Sequence, residues 1–343
     1  ASYVYKRQAE KISSEIRKNN GLISKSDLKN YSPVWREPLI SNYRDTEIIT
    51  MGPPSSGGLH VIQMLNILEN YDLKKIGHNS LEYINLLTEV MKFAYADRSK
   101  YLGDPDFYDV PIKKIISKKY ANDINKNIQI GKLTPVNEIN PGKYMDGESH
   151  ETTHFSVVDK TGNVISMTYT LNSTFGSKVV IEGTGILMNN EMDDFSAAPG
   201  IPNQFNLLGA EANEIAPFKR PLSSMTPTIV LKDKELFFTT GSPGGARIIS
   251  AVLQSIVNII DFDMNLEDTT AAKRIHHQWY PDILEYEFTL DNTIEKNLKK
   301  MGYKTESKLP LTCLQTIMFS DGMYYGYGDF RRVDALASGN IND

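Results

Sequence analysis

Between Asn125 and Glu151 the chain runs through a polar stretch punctuated by proline and glycine, and the sequence on its two sides has a different texture. Before it, helical periodicity dominates. Tyr5 to Asn19 reads as an amphipathic helix with Ala9, Ile12 and Ile16 on one face, stopped by Gly21. The strand-like "DTEIITM" leads into the turn-forming loop "GPPSSGG" (Gly52 to Gly58) and an apolar helix, "LHVIQMLNILEN". "SLEYINLLTEVMKFAYADRSKYLG" predicts a long helix with Ser80 as N-cap and Gly103 as its stop. After the polar stretch, strands and helices mix. "THFSVVD" and "VISMTYT" around "KTGN" predict a hairpin, and "GTGILMNNEMDDFS" a strand entering a polar loop. "APGIPNQFNLLGA" reads as a flexible loop. The strands of "KRPLSSMTPTIVL" and "KELFFTTGSPGG" precede the apolar helix "ARIISAVLQSIVNII". "DILEYE", a helix at "DNTIEKNLKKMG", and the strands "LQTIMFS" and "MYYGYG" complete the pattern. This order predicts layered α and β structure with antiparallel strands, not a run of βαβ units. The stretch from Asn125 to Glu151 reads as an exposed linker, the kind of place where chains are cut.

The net charge of −5 argues against a nucleic-acid binder, which would carry a basic patch. No apolar run is long enough to span a bilayer. A single cysteine, Cys313, excludes an internal disulfide and a multi-cysteine metal cluster, and its apolar neighbours predict a buried, inert thiol. His276 and His277 are adjacent, so their side chains diverge, which is poor metal-ligand spacing. The start, "ASYVYKRQAE", is neither a secretory signal nor a tidy domain start, and a processed or truncated piece is the expectation.

Three constellations can carry chemistry. The first is Thr152, at the head of "TTHFSVVD". A threonine hydroxyl is a weak nucleophile and needs a base. At a new N-terminus its own α-amine, with a pKa of about 8, takes that role. Read alone, the same residue is a good strand former and nothing more. The second is "TGSPGGARII", where Gly244 and Gly245 sit at a strand-to-helix junction. Unsatisfied N–H groups there suit an oxyanion, although an ordinary glycine turn reads the same, and no Lys-Ser/Thr follows to make a nucleotide loop. The third is polar residues in apolar surroundings: Thr170 and Asn172 in "TLNST", Glu191, Asp193 and Asp194 in "NNEMDDFS", and Ser223 and Ser224 in "PLSSM". Carboxylates would take the ammonium of an α-amino acid, and hydroxyls and amide its carboxylate. Singly, each piece is also consistent with a solvated loop or cap.

In this order, "PPSSGG", "YADRSKYLGDPDF", "TTHFSVVD", "GNVISMTYTLNSTFGS", "NNEMDDFS", "KRPLSSMTPTIV" and "GSPGGARII" closely resemble the γ-glutamyltranspeptidases, a family of N-terminal-nucleophile hydrolases. The likeness runs from Tyr5 to about Ala337. It implies an α+β fold, the four-layer αββα sandwich. It implies a precursor that cuts itself between Glu151 and Thr152. Residues 1–151 would be the C-terminal part of a large subunit and 152–343 the small catalytic subunit, intertwined as a heterodimer. Thr152 would then be the nucleophile, forming a γ-glutamyl ester from a glutathione-like donor that water, an amino acid or a peptide resolves. By the same resemblance, Thr170 hydrogen-bonds the nucleophile, Gly244 and Gly245 form the oxyanion hole, and Asn172, Ser223 and Ser224 surround the substrate α-carboxylate. Asp194 holds its α-amino group, Glu191 stands where a substrate-contacting Gln or Glu is expected, and "APGIPNQFNLLGA" is a lid. No cofactor or metal is implied, and export to the periplasm or outside is the family expectation.

The chain departs from the family pattern at three places. Phe205 occupies the lid position where many bacterial members carry a hydroxyl-bearing aromatic. "GDFRRVD" replaces a more usual Asp-Pro-Arg sequence. The family's large subunit begins upstream of Ala1, and that portion carries a carboxylate-clamping arginine with no counterpart recognised here. The competing expectations are a related glutaryl or poly-γ-glutamyl acylase, against which Asp194 speaks, and a non-catalytic fragment acting as a binding module.

Overall fold

The computed structural model describes residues 2–139, 152–196, 209–310 and 312–339. The first part contains α1 (Ser2–Lys18), α2 (Lys25–Asn30), β1 (Leu39–Tyr43), β2 (Thr46–Thr50), α3 (Gly57–Leu68), α4 (Leu73–Ile76), α5 (Leu81–Tyr101), α6 (Ile112–Ile115) and α7 (Lys118–Asn125). The hairpin β3 (Thr153–Val158) and β4 (Val164–Tyr169) follows, then β5 (Val180–Ile181), β6 (Ile186–Leu187) and short 3-10 turns at Glu191–Asp194 and Glu211–Asn213. The remainder holds β7 (Thr228–Lys232), β8 (Glu235–Thr240), α8 (Arg247–Ile260), α9 (Leu266–Ala271), β9 (Ile275–His276), β10 (Leu284–Glu287), α10 (Asn292–Met301), β11 (Thr305–Lys308), β12 (Gln315–Ser320) and β13 (Met323–Gly328).

The central sheet has six strands in the order β1-β2-β7-β8-β12-β13, antiparallel throughout. The first two strands come from one side of the polar stretch and the other four from beyond it, so neither half closes a sheet alone. Ile48, Val230, Phe238 and Met318 form an apolar row across neighbouring strands and pack with α3, α5 and α8 in one core. Every residue of α3 is buried, as its apolar sequence requires of a helix covered all round. Ser80 caps α5 by accepting from the Tyr83 N–H, as predicted. Gly103 plays a different part from the expected one. The helix already ends at Tyr101, and a Cβ on Gly103 would stand 1.9 Å from the Ala212 carbonyl oxygen, so the glycine permits a close chain crossing.

One further expectation needs correction. The stretch from Asn125 is not uniformly an exposed linker. Ile128, Val136 and Ile139 are buried in the main core, and the Trp279 Nε1–H donates to the Val136 carbonyl at 3.1 Å. Isolated apolar anchors in polar sequence leave no periodicity to read. Residues 140–151 lie outside the described residues. The β3–β4 hairpin forms where "THFSVVD" and "VISMTYT" predict it, with its apolar face turned outward. Here Phe155, Val157, Ile165, Met167 and Tyr169 are exposed, and the polar alternates His154, Ser156, Ser166 and Thr168 face inward. Strand β1 carried no recognised sequence signal.

The hairpin docks where β7 begins and β8 ends. Ser166 Oγ donates to the Thr240 carbonyl at 3.3 Å and accepts from the Thr228 N–H at 3.1 Å. Ser156 Oγ donates to the Gln315 carbonyl at 3.1 Å. The buried His154 ring is held by Thr168 Oγ1 at 2.7 Å and Ser156 Oγ at 3.2 Å, and it lies flush on Gly241. A Cβ at Gly241 would stand 2.1 Å from His154 Cε1. Gly241→Ala should therefore displace the hairpin and cost about 1–3 kcal/mol, read as a lowered urea midpoint at unchanged slope. An unaltered midpoint would show that the hairpin is not held there.

Candidate active site

The hairpin's open end brings Thr152 opposite Thr170. Thr152 is 9% exposed, and its Oγ1 donates to Thr170 Oγ1 at 3.5 Å, a long bond. Thr170 Oγ1 also accepts from the Asn172 N–H at 2.8 Å. Asn172 has a φ of 74°, a left-handed conformation that asparagine tolerates. Its side chain donates to the Asn190 carbonyl at 3.2 Å, so the turn after β4 is tied to the chain before the Glu191–Asp194 turn. His154, two residues from Thr152, is bonded to Thr168 and Ser156, and burial pulls the His154 pKa down to about 4. It is a neutral structural group at ordinary pH.

Gly244 and Gly245 link β8 to α8 with φ values of 135° and 55°, conformations that glycine adopts freely. Their N–H groups have no acceptor among the described residues. Tyr95 on α5 fixes the following turn by donating to the Ala246 carbonyl at 2.5 Å. The loop thus presents backbone donors at the entrance of a buried helix, beside the threonine pair.

A cavity of about 330 Å³, including its solvent-open part, lies between these elements. Thr152, Thr170, Asn172, Asp194, Ser223, Ser224 and Gly245 line it, together with Arg98. The structure therefore gathers seven of the ten residues expected at a site around one opening. Gly244 adjoins the lining, Glu191 stands beside Asp194, and Phe205 lies outside the described residues. Asp194 Oδ1 and Glu191 Oε1 are buried with no hydrogen-bond partner. Burial, and then the neighbouring Glu191, pushes the Asp194 carboxyl well above its ordinary range, and burial pushes Glu191 up to about 7. Orphaned carboxylate oxygens against a cavity suit a cationic ligand atom.

Two residues escaped the reading of the sequence. Asn213 donates to the Asp194 carbonyl at 2.7 Å and accepts from the Leu222 N–H at 3.0 Å, joining the carboxylate turn to the serine turn. A buried asparagine in a loop has no local signature. Arg98 does have one: it is a charged residue within a helix that is buried nearly all round.

The γ-glutamyltranspeptidase family profile matches residues 3–339. The chain belongs to this family. It is 51% identical over 332 residues to the glutathione hydrolase proenzyme of Escherichia coli (strain K12), covering 96% of this chain and 57% of that protein. The γ-glutamyltranspeptidase T380A mutant of Helicobacter pylori superposes with a TM-score of 0.51 at 48% identity, over 52% of this chain and 100% of that chain. The cephalosporin acylase of Bacillus halodurans superposes with a TM-score of 0.80 at 26% identity, over 95% of this chain and 57% of that chain. The chain thus spans little more than half the length of the curated relatives it matches. Its mixed architecture of sheets and helices is the one these structural neighbours share. No described helix is long and apolar enough to cross a membrane.

The carboxylate pair makes a pH signature. Both carboxyls are raised above their unfolded values, so the stability they contribute at acid pH is lost as the pH rises through their folded range, which for Glu191 lies at about 7. An alkylammonium ligand favours their charged forms instead. Its affinity should rise as the pH climbs through about 7, and binding at pH 7 should release protons, measurable by calorimetry in two buffers of different ionisation enthalpy. Affinity independent of pH between 6 and 8, with no proton release, would remove these carboxylates from ligand binding.

Proposed function

We propose that this chain is the greater part of a γ-glutamyl hydrolase and transpeptidase acting on glutathione-like donors. The observation that carries the reading is the content of one cavity: the orphaned carboxylate oxygen of Asp194, two serines, and a threonine hydroxyl beside the glycine loop. That set complements a zwitterionic α-amino acid end with an acyl carbon a few bonds away. In this reading Asp194, backed by Glu191, takes the donor's ammonium, and Ser223, Ser224 and Asn172 take its α-carboxylate.

The step is an acyl transfer. Thr152 Oγ bonds to the γ-carbonyl carbon, and the negative charge that develops on oxygen meets the Gly244 and Gly245 N–H groups. Collapse breaks the carbon–nitrogen bond and leaves a γ-glutamyl-threonine ester. Water, or the amine of an amino acid or peptide, then attacks the same carbon and restores the hydroxyl. The hydroxyl proton needs an acceptor. Among the described residues the partner of Thr152 Oγ1 is another hydroxyl, on Thr170, and the nearby His154 is engaged elsewhere. Its own α-amine, freed by cleavage between Glu151 and Thr152, is the base this arrangement calls for. That cleavage divides residues 1–151 from 152–343, and the sheet shared between them makes the two pieces an obligate heterodimer. Phe205, which the family resemblance assigns to the lid, has no hydroxyl to donate. The enzyme works in the periplasm or outside the cell.

The exposed apolar face of the hairpin supports the four-layer αββα arrangement. Ile165 is 55% exposed and Tyr169 52%. Rows of this kind are characteristically covered by another element. The portion of the relatives that this chain does not span is the source of that cover. A second reading, an amide acylase, draws on the likeness to the cephalosporin acylase. A glutaryl group has no ammonium, so the orphaned oxygens of Asp194 and Glu191 favour the γ-glutamyl donor.

The Thr152→Ala variant of the full-length protein should remain one uncut chain by intact mass. Its γ-glutamyl-p-nitroanilide hydrolysis should fall by roughly 10⁴-fold or more. Wild type should give two pieces, the smaller beginning at Thr152. Hydrolysis surviving in the variant would eliminate the threonine mechanism.

A further inference from the structure

Arg98 sits on α5 and is 4% exposed, with its guanidinium against the cavity wall. Burial lowers its pKa, yet only to about 10, so it stays charged. No carboxylate lies within ion-pairing distance of it among the described residues. Its hydrogen bonds go instead to hydroxyls. Nε donates to Ser56 Oγ at 2.9 Å and Nη2 to Ser224 Oγ at 3.0 Å. Ser56 Oγ passes the restraint on by donating to the Ser223 carbonyl at 2.8 Å.

The loop "PPSSGG" completes this brace. The Ser56 N–H donates to the Ser223 carbonyl at 2.8 Å, the Ser223 N–H to the Pro54 carbonyl at 2.9 Å, and Ser55 Oγ to the Met225 carbonyl at 2.6 Å. Gly57 lets the strands of this braid touch, because a Cβ there would stand 2.0 Å from Thr226 Oγ1. The consequence is chemical. Ser224 Oγ accepts from Arg98 and Ser223 Oγ accepts from the Met225 N–H at 3.1 Å. Neither hydroxyl donates to any acceptor among the described residues. A hydroxyl that is already accepting turns its proton elsewhere. Both serines are thereby set as donors, with the buried Arg98 charge directly behind Ser224.

We propose that Arg98 is the positioning residue of the anion subsite: it fixes Ser224 as an O–H donor, holds the Ser223 backbone through Ser56, and supplies a balancing charge for the donor's α-carboxylate. This rests on the γ-glutamyl reading above. Arg98 acts through the serines, so its removal should weaken donor binding with little effect on the acyl-transfer step.

The test compares two anilide donors in the self-processed full-length protein. γ-Glutamyl-p-nitroanilide carries the α-carboxylate, and 4-aminobutyryl-p-nitroanilide is the same donor without it. Arg98→Met should raise KM for the first about ten- to a hundredfold, the value of one charged hydrogen bond, with kcat nearly kept. The second donor should be turned over as by wild type. Arg98→Lys, which keeps charge and loses the fork, should fall between. Equal loss on both donors, a loss confined to kcat, or no loss would overturn the assignment. Should Arg98→Met fail to process, Ser56→Ala, which removes one anchor of the guanidinium, decides by the same comparison. Wild type inactive on both donors would overturn the γ-glutamyl reading and this assignment with it. Wild type active, with uniform loss in the variants, overturns the role of Arg98 alone.

Discussion

The polar seating of the β3–β4 hairpin is the constraint on which the site depends. Ser166 bridges the start of β7 and the end of β8, and the His154 ring rests on Gly241. Hydrogen bonds have narrow geometry, whereas apolar contacts slide. A hairpin held by hydroxyls and an imidazole therefore has one register over the sheet. Its first residue, Thr152, is placed against the loop that opens α8, and that loop is itself the continuation of β8. Nucleophile candidate and oxyanion candidate are thus two ends of the same docking contact. A one-residue slip would turn Phe155 inward and carry Thr152 out of reach.

The remaining walls of the cavity come from loops, and loops alone hold position poorly. Here they are braided. The segment around Ser223 is bound to the one around Ser56, Asn213 ties Leu222 to Asp194, and Asn172 ties Thr170 to Asn190. Most of these bonds end on a backbone atom, which fixes chain path more firmly than a bond between two mobile side chains. The serine wall and the glycine loop are also anchored to a helix of the core, through Arg98 and Tyr95 on α5. The precision of the site is inherited from that buried helix.

Much of this was legible in the sequence. The strong periodicities gave α3, α5, α8 and α10 close to their observed bounds, and the hairpin and the late strands were read in place. The residues expected at a site gather around one cavity because the motifs that carry the family resemblance are the parts that meet there. What stayed hidden was non-local. Strand β1 is half-buried at a sheet edge and has no repeating pattern. Which face of the hairpin is inward depends on its partners, and alternation alone cannot say. Arg98 and Asn213 take their meaning from residues more than a hundred and about twenty positions away respectively. The burial of Val136 rests on Trp279, in the other half of the chain.

The charge pattern of the cavity explains why such a site tolerates its own cost. Two carboxyls with orphaned oxygens and a guanidinium without an acid partner are unfavourable in a buried place. Glu191 stands against Asp194, and Arg98 draws the Asp194 carboxyl back down without coming within ion-pairing distance of it. An α-amino acid end brings an ammonium and a carboxylate a bond or two apart. On the proposed reading such an end meets both groups at once, its ammonium at Asp194 and its carboxylate at the serines before Arg98. A neutral amide of the same size would satisfy neither. On the proposed γ-glutamyl reading, selectivity for a zwitterion follows from an acidic and a basic group that do not pair with each other in the empty site.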